Sequence, residues 1–171
     1  MTHHLPVRFS ISTGSESTIL ERGEYKARPA LERDIEDIAA SMRPADMREV
    51  EAISGQTPRE ALEHSFELSS LCRTLCYRDT PLIMYGTCEV SEFSGVVWGL
   101  GSTALDDHVM GFLRVSKAEV ETLQAHYEQI FNFVHADNEL HLKWVEYVGF
   151  TLFDPVIQES GETVIPIQRS R

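Results

Sequence analysis

The stretch Asn138–Phe150, with the sequence NELHLKWVEYVGF, holds the clearest structural signal in the 171 residues of this chain. Its first residue is a good helix cap, because an Asn or Asp side chain accepts a hydrogen bond from a backbone N–H of the first turn. Gly149 is a typical helix end. Between them, apolar residues recur at helical spacing, at Leu142, Val145 and Val148. The stretch therefore predicts a helix through Val148 that leads into a strand at 151–153.

The residues just before this helix, His135-Ala136-Asp137-Asn138, follow a short apolar strand at 130–134. Polar side chains at the carboxyl end of a strand, beside a helix N-terminus, are a common ligand position. His135 is a candidate general base because imidazole changes its charge near neutral pH, and a surface histidine is the alternative. Asn138 is a candidate for positioning a substrate, and a simple helix cap is the alternative for it.

The rest of the chain predicts helices first and then antiparallel strands. Helical spacing covers 31–42, 44–55 and 57–69, and strand patterns cover 24–29, 71–77, 81–89 and 95–100. A further helix is predicted to begin at the capping box Ser116-Lys117-Ala118-Glu119 and to run to about Glu128. A last strand is predicted at 164–167. This order predicts an α+β fold, with a mixed and mostly antiparallel central sheet flanked by helices.

The charge of the chain excludes some partners. It has 15 Lys and Arg residues against 27 Asp and Glu residues, which gives a formal net charge of −12. Nucleic acids and anionic lipids are held by basic surfaces, so neither is an expected partner. Nine acids against four Arg fall within 32–63, which predicts acidic outer faces for the early helices. An anionic cofactor would therefore need local backbone amides and one or two cations.

The three cysteines, Cys72, Cys76 and Cys88, form no CxxC pair and no zinc spacing with histidine. No metal site is therefore expected, and reduced thiols fit a cytoplasmic location.

The N-terminal residues 1–23 are rich in Ser, Thr and Gly, and they predict a flexible arm. An edge strand through Val7, Phe9 and Ile11 is the alternative. Neither a signal peptide nor a run of about 18 apolar residues is present, so no membrane association is expected. The length of the remaining chain predicts a single domain over 24–171.

Two further segments and one acidic residue are candidate sites. Arg114-Val115-Ser116-Lys117 lies at a predicted helix start, where backbone amides and two cations favour an anion. Ion pairing of Arg114 with Asp106 or Asp107 is the alternative. Trp98-Gly99-Leu100-Gly101-Ser102 contains glycines that permit close backbone approach by a ligand, or that mark a bulge. Glu89 is a candidate base facing a cleft, with a solvent-facing position as the alternative.

The order of elements and the stretch Asn138–Phe150 resemble the GNAT acyltransferases, in which an Asn at a helix start precedes an apolar helix that ends in Gly-Phe and a strand. A narrower similarity over about 70–155 is to small GNAT-like proteins of tailed bacteriophages, including the internal virion or core protein A group. It rests on short motifs in the same order: Trp98-Gly99-Leu100-Gly101, His108, Phe112-Leu113-Arg114, Ser116, His135-Ala136-Asp137-Asn138, Trp144 and Gly149-Phe150.

The resemblance implies an enzyme that transfers an acetyl group from acetyl-CoA to an amine, with a host protein as one class of acceptor and the host cytoplasm or the virion as location. It implies that the strands 95–101 and 130–134 splay apart, and that main-chain groups there hold the pantetheine arm. The implied cofactor-binding residues are Leu100, Gly101, Ser102, Arg114, Val115, Ser116, Lys117 and Asn138. The candidate catalytic residues are His135, Glu89 and Asn138, with Asn138 near the thioester.

Three positions depart from the family pattern. Aligned on Arg114, the glycine positions of the family's phosphate loop hold Lys117 and Glu119, and the position of its frequent general-acid Tyr holds Val145. Without glycine, the backbone approaches a phosphate less closely. The alternative function is therefore a non-catalytic GNAT-fold phage protein that serves as a virion or assembly component or binds a host protein.

Overall fold

The computed structural model describes residues 20–171 of the chain. Most of the predicted arm, and its alternative strand, lie outside the described residues. Leu20–Arg22 form the first strand, β1, which pairs with the next strand through Leu20 and Ala27. The last residues of the predicted arm are therefore paired in the sheet. No helix within the described range is long and apolar enough to cross a membrane.

The described part of the chain contains five α-helices, in the predicted order. They are α1 (Glu32–Ala40), α2 (Pro44–Ser54), α3 (Pro58–Leu68), α4 (Val109–Gln124) and α5 (Glu139–Tyr147). Proline begins α2 and α3, where its fixed φ suits a first helical residue and its missing N–H costs nothing. The predicted capping box of α3 is present, since the Thr57 N–H donates to the Glu60 carboxylate at 2.9 Å.

Within residues 20–171, nine strands form one sheet. They are β1 (Leu20–Arg22), β2 (Tyr25–Pro29), β3 (Ser69–Tyr77), β4 (Thr80–Ser91), β5 (Ser94–Gly101), β6 (Gln129–His135), β7 (Thr151–Leu152), β8 (Val156–Ile157) and β9 (Thr163–Ser170). The spatial order is β1-β2-β3-β4-β5-β6-β9-β7, and β8 also pairs with β9. All pairs are antiparallel except β5 and β6, which are parallel. The predicted mixed and mostly antiparallel sheet is confirmed, and β1 and β8 are the strands that the sequence pattern missed.

Two hydrophobic cores cover the two faces of the sheet. Helices α4 and α5 pack on one face through residues such as Val115, Leu123 and Val145. Helices α1 and α3 pack on the other face through Ile38 and Leu62, together with sheet residues that include Met84, Trp98 and Leu100. Because side chains alternate across a strand, Val97 and Trp98 of β5 belong to opposite cores.

The parallel pair β5 and β6 separates after three residues. Pairing joins Ser94, Gly95 and Val96 to residues 129–131 and then stops. At the branch point, which we call the fork, the Asn132 side chain donates to the Val97 carbonyl at 2.6 Å and accepts from the Phe133 N–H at 2.7 Å. Asn132 thus satisfies two backbone groups that strand pairing would otherwise use, and this stabilises the separation.

The helix α4 begins seven residues before the predicted capping box. A 3-10 helix over Thr103–His108 leads directly into Val109, so Ser116 lies in the interior of α4. The Ser116 hydroxyl donates to the Leu113 carbonyl at 3.1 Å, a bond made within a helix, and does not cap one. The prediction of a helix start at Arg114–Lys117 is therefore wrong.

The first turn of α4 lies against the edge of the sheet. A Cβ on Gly111 would fall 1.9 Å from the Tyr25 ring, so only glycine permits this approach. The Tyr25 hydroxyl is 3.0 Å from His108 Nδ1, and the Tyr77 ring stacks on His108 with centroids 4.2 Å apart. Aromatic rings therefore cover the side of this turn that faces β2.

We expect that replacing Asn132 with leucine lowers the free energy of unfolding by about 1–3 kcal/mol, because the partly buried Val97 carbonyl and the Phe133 N–H then lose their partner. Urea denaturation measures the loss. The matched control is Gln129→Leu, a polar residue on the same strand whose side chain makes no hydrogen bond within the described residues, and whose replacement should change stability by less than about 0.5 kcal/mol. Equal stability of the two variants would show that Asn132 does not stabilise the fork.

Candidate functional site

A cavity of about 450 Å³ lies in the fork. Its walls include Val97–Leu100 of β5, residues 132–134 of β6, and parts of α2, α4 and α5. The lining is mostly apolar, and its charged or titratable members are Arg43, Asp46, Glu49, Asp106, His141, Lys143 and Tyr147. An apolar cleft with a few convergent polar groups is the usual form of a small-molecule site.

Gly99 presents free backbone groups to this cavity. The Gly101 N–H donates to Asp46 at 2.9 Å and the Gly101 carbonyl accepts from the Arg43 N–H at 2.9 Å, so both groups point away from β4. The Val97 carbonyl also points away, toward Asn132. Along a strand, the N–H and C=O groups point to the same side at every second residue. The Gly99 N–H and C=O therefore also point away from β4 and into the fork. Its N–H and C=O can pair with an extended amide-containing ligand.

A carboxylate and an imidazole meet beside the cavity. Glu49 of α2 accepts hydrogen bonds from His141 Nδ1 at 3.1 Å, from Asn138 Nδ2 at 2.8 Å and from the His135 N–H at 3.3 Å. The Glu49 and His141 side chains are only 14% and 24% exposed. Glu49 belongs to α2 and His141 to the first turn of α5, and the two side chains meet beside the last residue of β6.

The hydrogen bonds to Glu49 keep it ionised. Burial raises the pKa of its carboxyl, but the bonds from His141, Asn138 and the His135 N–H lower it by more, so the pKa lies below its ordinary value. A carboxylate only accepts hydrogen bonds, so His141 Nδ1 must carry the proton. In the neutral imidazole Nε2 then holds the lone pair, which is the form a general base requires.

The pKa of a second carboxyl group near the fork, that of Asp46, is raised and not lowered. Burial raises the pKa of Asp46, although the Gly101 N–H and Arg43 act to lower it. The Gly101 N–H, a predicted cofactor-binding group, is therefore already bonded to the Asp46 carboxylate.

The predicted base His135 is engaged at both ring nitrogens. Nδ1 accepts from the Asp137 N–H at 3.2 Å, and Nε2 lies 2.7 Å from the Glu162 carboxylate. Neither nitrogen is therefore available to take a proton from a substrate, and the geometry favours His141 instead. Asn138 is the helix cap of α5, since its side-chain oxygen accepts from the His141 N–H at 3.3 Å. Its amide nitrogen holds Glu49, so it acts on the site by positioning that carboxylate.

Glu89 does not face the cleft. It is exposed and pairs with Gly95, at the end of β5 where the strands are still joined, and it is not part of the cavity wall. The β4–β5 hairpin that follows carries it away from the fork. Glu89 therefore faces solvent, which is the alternative stated for it above.

The predicted pantetheine residues are only partly available. Leu100 lines the cavity. The Gly101 amide and carbonyl are occupied by Asp46 and Arg43, and the buried Ser102 donates through its N–H to the Leu82 carbonyl at 2.8 Å. The free backbone groups of β5 are therefore those of Gly99, two residues before the predicted Gly101.

Arg114–Lys117 divide into two pairs. Val115 and Ser116 are buried against the sheet and cannot contact a cofactor, because their side chains point into the core. Arg114 and Lys117 are exposed, and Lys117 Nζ lies 4.4 Å from the centroid of the Tyr147 ring of α5. The two cations are thus on the surface of α4, without the helix amides that the prediction invoked.

The cysteines do not form a nucleophilic site. Burial raises the pKa of Cys72 to about 12 and also raises the pKa values of Cys76 and Cys88. The reactive thiolate is therefore scarce at neutral pH. All three thiols are free, and the described residues contain no group of side chains that could hold a metal ion.

Glu49 and His141 were the residues that sequence reasoning missed. They are separated by 92 positions, and no spacing rule connects them. The available signal was His141 itself, which lies three residues after the cap Asn138 in the first turn of a helix at a strand end.

The sheet order, the two-sided helix layers and the fork together define the GNAT fold. No family model and no curated protein sequence matches the chain, so the likeness is one of structure. A GNAT-family acetyltransferase from Bacillus anthracis superposes with a TM-score of 0.67 at 7% identity, over 90% of this chain and 98% of that one.

Two other similar structures bear more specific names. Ribosomal-protein-S5-alanine acetyltransferase from Vibrio fischeri has a TM-score of 0.61 at 13% identity, over 90% of this chain and 96% of that one. Spermidine N-acetyltransferase from Vibrio cholerae, in complex with CoA and spermine, has a TM-score of 0.64 at 12% identity, over 87% and 96%. At these identities the likeness shows the fold.

Proposed function

We propose that this protein is an N-acetyltransferase that binds the pantetheine arm of acetyl-CoA in the fork and transfers the acetyl group to an amine. The observation that carries the proposal is the fork itself, where a free backbone edge at Gly99 and an imidazole–carboxylate pair border one apolar cavity. The fold neighbours named above, one of them in complex with CoA and spermine, support the same reaction class.

The residues of the cavity fit the neutral part of acetyl-CoA. The arm contains amides, which pair with the Gly99 N–H and C=O as a neighbouring strand would. Bound acetyl-CoA supplies an acyl carbon that is activated as a thioester.

His141 is the proposed base. Its Nε2 accepts a proton from the attacking amine while the C–N bond forms and the C–S bond breaks, and the proton then passes to the departing sulfur. The ionised Glu49 carboxylate holds Nδ1–H and stabilises the imidazolium that forms in between. Asn138 keeps Glu49 in position through its amide nitrogen.

The similarity to phage proteins over about 70–155 supports a finer proposal, that the chain is phage-encoded and that the acceptor amine belongs to a host protein. A second cavity of about 460 Å³ adjoins the first and shares Glu49 with it. Its wall also contains Asp137 and Glu162, whose charge suits a cationic amine.

One observation favours the non-catalytic alternative. The turn that follows β5 has little capacity for a diphosphate, because its Ser102, Thr103 and Leu105 N–H groups donate to the Leu82, Ser41 and Ser102 carbonyls. Asp106 and Asp107 add negative charge there. A GNAT-fold protein that has lost its cofactor would show this arrangement.

Calorimetric titration with acetyl-CoA separates the two candidates. We expect binding by the wild type and a loss of affinity of about tenfold or more in Gly99→Pro, which removes the N–H that faces the fork. Gly99→Ala keeps that N–H, and its added Cβ meets nothing closer than 3.5 Å, so it should bind within about threefold of the wild type. Absence of wild-type binding at millimolar acetyl-CoA would overturn the enzyme proposal and leave the non-catalytic one.

A further inference from the structure

The fork cavity has walls on both faces of the sheet. Val97 packs in the core beneath α4 and α5, whereas Trp98 packs against the core beneath α1 and α3, and both residues line the cavity. Phe133 of β6 also lines it and points to the α1 and α3 side, because its neighbour Val134 belongs to the other core. The cavity therefore crosses the sheet at the place where β5 and β6 have separated.

Helix α2, which is described over its whole length, does not bury its apolar side chains. Asp46 is the residue of α2 that is buried, and the core beneath α1 and α3 is made of residues from other parts of the chain. Val50 and Ile53 are half-buried, and both line the cavity. A helix normally packs its apolar stripe against the protein. This stripe of α2 instead faces a space that a ligand can fill.

We call this side of the fork cavity the α2 chamber. Its apolar wall is formed by α2, α3, β5 and β6, through Val50, Ile53, Ala61, Trp98 and Phe133. Glu49 lies one helical turn before Ile53 on the same face of α2, and it contacts His141 Nδ1 at 3.1 Å. One face of α2 thus presents a carboxylate beside the proposed base and apolar side chains one turn farther along.

We propose that the α2 chamber receives the body of the acceptor, and that the acceptor is a primary amine attached to an apolar group such as an aromatic ring. The inference rests on the proposed function and names its substrate class. The amine lies beside Glu49 and His141 while the apolar group fills the space next to Val50 and Ile53. A strongly hydrated body would lose its water against these walls without gaining a partner.

The second cavity offers the opposite chemistry from the same carboxylate. It shares Glu49 with the fork cavity, and its wall, within the described residues, contains Glu51, Asp137 and Glu162 but no Phe, Tyr or Trp. A diamine would place its second ammonium among these acids. The two cavities therefore predict different acceptors, which a comparison of an apolar amine with a diamine separates.

Acetyl-transfer rates with matched amines test the α2 chamber. Phenethylamine and ethanolamine carry the same aminoethyl group, attached to a phenyl ring in one and to a hydroxyl in the other. We expect the kcat/KM of the wild type to be about tenfold or more higher for phenethylamine, because the ring is removed from water. This ratio should fall to about threefold or less in Val50→Asn and in Ile53→Asn, mainly through KM, because an amide replaces the apolar wall.

Met47→Asn is the matched control for both variants. Met47 is an exposed apolar residue of the same helix, and it lines neither cavity. This variant introduces the same side chain into α2 and should keep the wild-type ratio.

A pair of tripeptides identifies the source of the amine. Phe-Gly-Gly and Gly-Gly-Gly differ in the same way as the two small amines, but their amine is at a chain terminus. A preference for phenethylamine and also for Phe-Gly-Gly would support the α2 chamber with the first residue of a polypeptide as acceptor. A preference within the small amines alone would support it with a free amine as acceptor.

Other outcomes overturn one of the two proposals. A wild-type ratio near one, a higher kcat/KM for putrescine than for phenethylamine, or a ratio that stays high in both Val50→Asn and Ile53→Asn would overturn the α2 chamber while the proposed function stands. An equal fall of the ratio in Met47→Asn would show a general effect of changes in α2 and would also overturn it. If the wild type acetylated none of these amines, the proposed function itself would be overturned.

Discussion

Replacement of His141 with glutamine is expected to lower kcat for amine acetylation by about 10²–10⁴, the usual contribution of a general base. The affinity for acetyl-CoA should change by less than about threefold, because the proposal places the pantetheine arm on β5 and not on this side chain. Released thiol measures turnover, and calorimetry measures binding. Glutamine retains hydrogen-bonding capacity but cannot take up a proton at Nε2.

The control for this substitution is His126→Gln, an exposed histidine near the end of α4 that makes no contact with the cavity. It should retain full activity. An active His141→Gln variant would show that another group accepts the proton, and equal losses in kcat and in donor affinity would point to a structural role.

Glu49→Gln tests the positioning role of the carboxylate. We expect kcat to fall, and we expect a signature in stability that depends on pH. Because the pKa of Glu49 in the folded protein lies below its ordinary value, its ionised form stabilises the fold above about pH 4.3, and this stabilisation is lost as the pH falls through the folded pKa. The difference in unfolding free energy between wild type and Glu49→Gln should therefore be constant near neutral pH and shrink in acid. Glu32→Gln removes an exposed charge from α1, outside both cavity walls, and should show neither effect.

Replacement of Arg73 with alanine is expected to lower the free energy of unfolding by about 3–5 kcal/mol. Arg73 of β3 donates to both oxygens of Glu119 at 3.0 and 3.2 Å, and the Tyr85 hydroxyl donates to the same carboxylate at 2.6 Å. Arg73 and Glu119 are 3% and 5% exposed. Removal of the guanidinium leaves a buried carboxylate whose charge is no longer balanced. Urea denaturation measures the loss.

Two further variants give this prediction its contrast. The double variant Arg73→Met, Glu119→Leu removes both charges and should recover much of the lost stability, because no ion is then buried alone. Arg59→Ala breaks an exposed pair with Glu63 and should cost about 1 kcal/mol or less. If Arg73→Ala cost no more than Arg59→Ala, water would have to reach the buried pair.

Local patterns in the sequence predicted most of the fold because local chemistry determines those elements. Asn138 caps α5 as expected, Pro44 and Pro58 begin helices, and the alternating patterns of β3, β4 and β5 give the antiparallel meander. The misplaced start of α4 has an equally local cause. Ser116 and Glu119 have the spacing of a capping box. The Ser116 hydroxyl instead donates to the Leu113 carbonyl, and the Glu119 carboxylate accepts from the buried Arg73.

The candidate site was less accessible to sequence reasoning because its contacts are long-range. The fork region and Asn138 were identified from motifs, and Leu100 does line the cavity. The pairing of Glu49 with His141 depends on the packing of α2 over the end of β6, which no periodicity reveals. The motif at the end of β6 favoured His135 as the base. In the structure, Glu162, which lies between β8 and β9, pairs with His135 Nε2.

The Asn132 side chain also has a consequence for the depth of the fork. It ends strand pairing at a defined residue, so it fixes how far into the sheet a ligand can extend before it meets paired backbone. Each two-residue shift of that vertex along β6 would lengthen or shorten the slot by about 6–7 Å, since a strand rises about 3.3 Å per residue. Under the proposed function, Asn132 would therefore set the depth of the slot and the length of ligand chain that the fork accommodates.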